Sequence, residues 1–268
     1  MIDGYMVGIL AFAGSLAGFL AGLLGIGGGL ILVPFLSDVV LPHLNAPSQT
    51  TEHLARGTSM LVTFLASLSG AHRHHKRQCV IWKAVPFLAL GSVLSAWAGA
   101  GLAAHLSGLV LRRVFAGVMI LAAARMFLEL KASSEHTETF NPIHLFVLGL
   151  VTGLVASLCG IGGGVVTVPA LVLLLHFPMK KVAGTSSATI VFTGVSAALG
   201  YVYHGWGHPL LPSGTLGYVH WQLAIPLIVT GMIFSQLGAA ANFRINPVPL
   251  RRVFGVLIGL AGIRMMMG

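Results

Sequence analysis

The chain has 268 residues, of which 56% are hydrophobic and 8% charged, with a formal net charge of +9. Soluble domains carry about 25% charged residues, so this composition excludes a soluble globular enzyme, a disordered chain and a coiled coil. It leaves an all-α polytopic membrane protein.

In chain order the first half holds four apolar stretches, Tyr5–Leu36, Thr58–Ala71, Val80–Ala104 and Leu109–Leu130. The polar segment Lys131–Pro142 follows. The second half holds Ile143–Leu175, Thr185–Tyr203, Trp221–Ala241 and Leu250–Met267. The leading stretch of each half exceeds the ~20 residues a spanning helix needs. Each is interrupted by GIGGG, at Gly25–Gly29 and Gly160–Gly164. Consecutive glycines weaken a helix by about 1 kcal/mol each. Each leading stretch is therefore expected to be two shorter helices folded into a re-entrant hairpin, followed by three transmembrane helices.

The halves are copies of one unit. Gly18–Pro34 aligns with Gly153–Pro169, with 10 of 17 positions identical. Gly57-Thr58-Ser59 matches Gly184-Thr185-Ser186, Trp82 matches Trp221, and the Leu111–Phe115 block matches Leu250–Phe254. The expected organisation is a first transmembrane repeat over residues 1–130, a linker over 131–142 and a second repeat over 143–268. Basic residues mark cytoplasmic loops. Ala71–Ile81 carries Arg73, Lys76 and Arg77, whereas its counterpart His204–His220 carries no Lys or Arg. Ser37–Ala55 carries Asp38 and Glu52 and no base, whereas its counterpart around His176–Val182 carries Lys180 and Lys181. The opposite polarities predict inverted repeats with both termini outside. The pairs Arg112/Arg113 and Arg251/Arg252 do not fit that pattern, and a parallel duplication stays open.

Irregular backbone at membrane depth is tolerated only inside protein or beside water. Two interrupted helices at matching positions are the sequence mark of a transporter binding site. Half-helix N-termini there suit an anion. The candidate site residues are Gly25, Gly27, Gly28 and Gly29 with Gly160, Gly162, Gly163 and Gly164. To these are added Gly57, Thr58 and Ser59 with Gly184, Thr185, Ser186 and Ser187, each run expected to open an apolar helix and present hydroxyls at its N-terminus. Arg56, where the second half has Ala183, would raise the local anion concentration. Thr63, Ser67, Ser69, Thr193 and Ser196 continue polar faces, lining a path or bonding their own helix. The HRHHKR tract, His72 to Arg77, reads as a solvated loop touching anionic lipid. Cys79 and Cys159 make no disulfide framework or metal site, and neither metal nor cofactor is expected. No acid falls well inside a predicted span, which disfavours a cation substrate and leaves ion coupling unassigned.

Together the paired glycine leaders, each ending in Pro34 or Pro169 and followed by a Gly-Thr-Ser, resemble the TauE/SafE sulfite exporter family of bacterial membrane proteins. The resemblance spans about Gly8 to Arg264. It implies a multi-pass protein of the bacterial inner membrane that moves a small sulfur-containing anion such as sulfite, sulfoacetate or another organosulfonate. On this reading the protein is a secondary transporter working as an exporter by alternating access, with its site between the two GIGGG segments. The expected partners are that anion, membrane lipid and a second copy in a homodimer, with no nucleic acid. A passive anion channel is the alternative. An intramembrane hydrolase with Ser186 or Ser187 as nucleophile is disfavoured because no histidine falls nearby in the sequence: His176 is about ten residues away and His204 lies beyond the helix.

Overall fold

The computed structural model describes residues 3–44, 46–127, 140–173, 175–244 and 247–267. The first half forms α1 (Gly4–Leu24), α2 (Gly29–His43), α3 (Ser48–Lys76), α4 (Val85–His105) and α5 (Gly108–Phe127). The second forms α6 (Pro142–Cys159), α7 (Gly164–Leu173), α8 (Met179–His204), α9 (Trp221–Ala241) and α10 (Pro247–Met267). A two-residue hairpin, β1 (Thr215–Leu216) against β2 (Val219–His220), joins α8 to α9. α1, α4, α6, α9 and the apolar part of α8 are long and apolar enough to cross a membrane. The outward faces carry large apolar side chains such as Phe12, Leu90, Leu94, Ile225 and Ile233, while Thr58, Ser59, Thr63, Thr185 and Ser186 are among the buried side chains. This is the surface of an all-α polytopic membrane protein, whose solvent is hydrocarbon.

Small residues let the two halves interlock. α1 runs parallel to α9, with Gly14 against Leu227, Gly18 against Gly231 and Gly22 against Ser235. α6 runs parallel to α4 in the same manner, with Gly149 against Leu88 and Gly153 against Ser92. Corresponding helices of the two halves cross antiparallel. Along α3 and α8, Gly57 meets Tyr201, Phe64 meets Gly194 and His74 meets Gly184. Along α5 and α10, Ala123 meets Gly259, Met119 meets Gly262 and Arg112 reaches the Met265 carbonyl.

Several boundaries differ from the sequence expectation. α1 is a 21-residue helix, so the first arm of the hairpin is membrane-length and only the returning arm is short. α3 begins at Ser48 and runs 29 residues, which takes Glu52 into helix, and α2 reaches His43, so most of the expected loop Ser37–Ala55 is helical. The HRHHKR tract is the last turn and a half of α3 rather than a loop, and His74 within it is fully buried. The expected linker lies, up to residue 139, outside the described residues.

Candidate functional site

α1 and α6 end alike. Gly25 and Gly160 adopt left-handed backbone, with φ of 66° and 72°, and their N–H groups donate to Ala21 and Ala156. This is the usual glycine C-terminus of a helix. Gly27, Gly162 and Gly163 also have positive φ, whereas Gly28 does not. The chain then turns back into α2 and α7, whose first-turn N–H groups have no helical acceptor. Among the described residues Gly29, Leu30, Gly164 and Val165 donate to no backbone carbonyl.

The two breaks lie against each other, antiparallel. A Cβ on Gly29 would overlap the Gly160 carbonyl, one on Gly164 would overlap the Gly25 carbonyl, and one on Gly27 would come within 2.5 Å of the Ile161 carbonyl. The glycines are thus needed for backbone-to-backbone contact as well as for turning. They leave no gap between the segments in this conformation.

The Gly-Thr-Ser runs do not open helices. Gly57 lies in the third turn of α3 and Gly184 in the second turn of α8, so their backbone N–H groups belong to helix interiors. Their side chains instead clasp the opposite half. Ser59 Oγ donates to the Gly160 carbonyl at 2.8 Å and Ser186 Oγ to the Gly25 carbonyl at 2.6 Å. Thr58 Oγ1 accepts from the His220 N–H and Thr185 Oγ1 from the Ile81 N–H, both at 2.9 Å. Gly57 admits the Tyr218 carbonyl and Gly184 the Cys79 carbonyl. Each run therefore holds one glycine break and one interhelix loop of its counterpart. Ser187 is buried in α8.

Arg56 is fully buried beside the second break, its Cα facing Gly160. Its Nε donates to the Leu158 carbonyl at 3.0 Å, and its Nη1 donates to the Glu52 carbonyl at 2.8 Å and to the Glu52 carboxylate. Its Nη2 makes no hydrogen bond, and the guanidinium lies over the Phe115 ring, 5.7 Å from its centroid. Thr63 sits over both breaks, its methyl against Gly27 and Gly162, and its hydroxyl is buried without a partner. Buried polar atoms are nearly always paired, so these two atoms are conspicuous.

The residues that sequence reasoning missed are Glu52, Arg112 and Asp38. Arg112 Nη1 lies 3.1 Å from Asp38 and 3.8 Å from Glu52, joining α5, α2 and α3. A π turn over Leu36–Val40 brings Asp38 to this position. His53 is stacked on Tyr218, with ring centroids 5.0 Å apart. The signal available in sequence was the i,i+4 spacing of Glu52 and Arg56 on a helix. Burial holds the Tyr218 phenol above its ordinary range and His220 below its own, so the hairpin that Thr58 clasps is uncharged near neutral pH.

Residues 10–265 match the family described as Sulfite exporter TauE/SafE. The chain belongs to the TauE/SafE family. It is 32% identical to a probable membrane transporter protein of Haemophilus influenzae, covering 94% of this chain and 95% of that one. It is 27% identical to a probable membrane transporter protein of Methanocaldococcus jannaschii, covering 97% and 95%. It is also 27% identical to the probable membrane transporter protein YunE of Bacillus subtilis, covering 94% of this chain and 95% of that one. No solved structure is significantly similar to the chain. This is a family of membrane transporters rather than of enzymes, and the Ser186 hydroxyl of the hydrolase alternative is occupied by the Gly25 carbonyl.

Proposed function

We propose that this protein is a secondary transporter, working as an exporter in the bacterial inner membrane, for a small sulfur-containing anion such as sulfite, sulfoacetate or another organosulfonate. The observation that carries the reading is the pair of buried, unpartnered donors, Arg56 Nη2 and Thr63 Oγ1, beside two abutting glycine breaks. The first-turn N–H groups of α2 and α7 add donors and positive dipole ends at the same place. The family's description supports the sulfur anion. Hydrogen bonds to a charged group contribute about 1.5–3 kcal/mol each, so a few of them bind an oxyanion firmly yet release it. The breaks touch in the conformation described, so the anion enters when they part, and the site is the space that opens between Gly25–Gly29 and Gly160–Gly164.

Inverted repeats are a common architecture for alternating access. The antiparallel crossing of corresponding helices, α3 with α8 and α5 with α10, supports inverted repeats. So do the loops that the two threonines clasp. Residues 77–84 and 205–220 are equivalent in the repeat, sit at opposite ends of the α3–α8 pair and differ in charge, with Lys and Arg only in the first.

The test is flux of labelled sulfite and sulfoacetate in proteoliposomes. Wild type moves at least one of the two. Gly163→Leu, which puts a branched side chain at φ 93° beside Thr152 and Ala156, loses the flux. Movement of neither anion by wild type contradicts the reading.

A further inference from the structure

We infer that Glu52 is a proton-carrying group, and that its carboxylate and the transported anion alternate as partners of Arg56. The inference rests on the anion-transport reading above and assigns its coupling ion.

Four side chains from three helices form one chain of charge, Asp38, Arg112, Glu52 and Arg56, buried at its Glu52–Arg56 end and partly exposed at its Asp38–Arg112 end. It holds two acids and two bases and is neutral as it stands. Glu52 is 6% exposed and Arg56 fully enclosed. The charged groups that face Glu52 are Arg56 on its own helix and Arg112 on α5, and His53 stands next to it in the chain. Asp38 of α2 reaches it through Arg112, while Tyr201 of α8 and Cys159 of α6 lie within electrostatic range of the Glu52–Arg56 pair.

The repeat shows that the fold does not require this cluster. At the shifts that align the halves, Leu173, Met179 and Ala183 stand where Asp38, Glu52 and Arg56 stand. The second half builds the same clasp without them, on an α7 that ends at Leu173 and an α8 that begins at Met179. A buried ion pair is also a weak source of stability, because desolvation offsets most of the attraction. The pair is therefore better explained by what it does.

An anion bound at the free Nη2 of Arg56 adds negative charge beside the buried Glu52–Arg56 pair. One proton taken up by Glu52 cancels one such charge. The protonated carboxyl no longer requires Nη1, and the guanidinium can present both terminal nitrogens to an oxyanion in the bidentate geometry arginine favours. Release of the anion restores the Glu52–Arg56 pair and frees the proton. Anion and proton then move together.

The experiment uses proteoliposomes with labelled sulfoacetate, which stays ionised near neutral pH, an entrapped pH dye, and the membrane potential clamped. In wild type, sulfoacetate and protons move in fixed proportion and an imposed pH gradient drives the anion. Glu52→Gln loses the proton movement relative to whatever anion exchange remains, and Glu52→Asp, which keeps a titratable group, regains it. Sulfoacetate flux in wild type without proton movement overturns the inference while leaving the transport reading intact, and needs no variant to fold. Glu52→Gln with the wild-type proportion overturns it too. Failure of wild type to move either sulfoacetate or sulfite overturns the transport reading itself, and this inference with it.

Discussion

Ser59 and Ser186 each donate to the carbonyl that ends the leading helix of the other half, and this exchange is invisible in a single chain of letters. The sequence shows hydroxyls beside a glycine and suggests caps. Only the fold shows that the helices start earlier and that the hydroxyls reach across. Arg56 was legible as a cation without a counterpart in the repeat. Its partner was not, because Glu52 looked like a solvated loop acid. The pair leads to a sharp prediction on stability. Arg56→Met leaves the Glu52 carboxylate buried without its principal partner and costs about 3–5 kcal/mol, whereas Glu52→Met with Arg56→Met together costs far less. Thermal unfolding in detergent, read for both variants, checks this. Equal losses in the single and double variants would show that the pair's charges are not confined as described.

At the scale of elements, the glycine breaks, the repeat and the membrane helices were readable because each is a local pattern. Glycine runs end helices, apolar runs cross membranes, and duplicated blocks share both. What failed was the boundary of α3. Hydropathy counts every charge as seeking water, so it cannot see that Glu52 meets Arg56 and Arg112, or that His74 lies 2.9 Å from the Gly22 carbonyl of α1. The same blindness accounts for the misfit of Arg112 in the charge pattern. Its side chain is engaged with Asp38 and is not a free topology signal. The threonine clasps carry a prediction at this scale. Thr58→Val removes the acceptor of the His220 N–H, and Thr185→Val that of Ile81. Loss of one such hydrogen bond is worth about 1 kcal/mol. Hydrogen exchange should therefore quicken several-fold in residues 205–220 for the first variant and in 77–84 for the second, each without change in the other loop. Quickening of both loops in both variants would mean general loosening instead of two separate clasps.

For the whole molecule, the proposal requires that the two clasped loops open on opposite faces of the membrane. In a background with Cys79 replaced by Ser, Gln78→Cys and Ser213→Cys place single exposed thiols in the two loops, Cys159 being buried. A membrane-impermeant maleimide added to intact cells labels Ser213→Cys, and labels Gln78→Cys only after permeabilisation. Labelling of both from one face would contradict inversion. The central claim is that the breaks part and close around an anion so that the site faces one side at a time. Counterflow tests this most directly. Proteoliposomes loaded with unlabelled sulfoacetate and diluted into a trace of labelled sulfoacetate should accumulate the label transiently above its outside concentration. Simple equilibration of the label, with no overshoot, would contradict a carrier and indicate an open anion pathway.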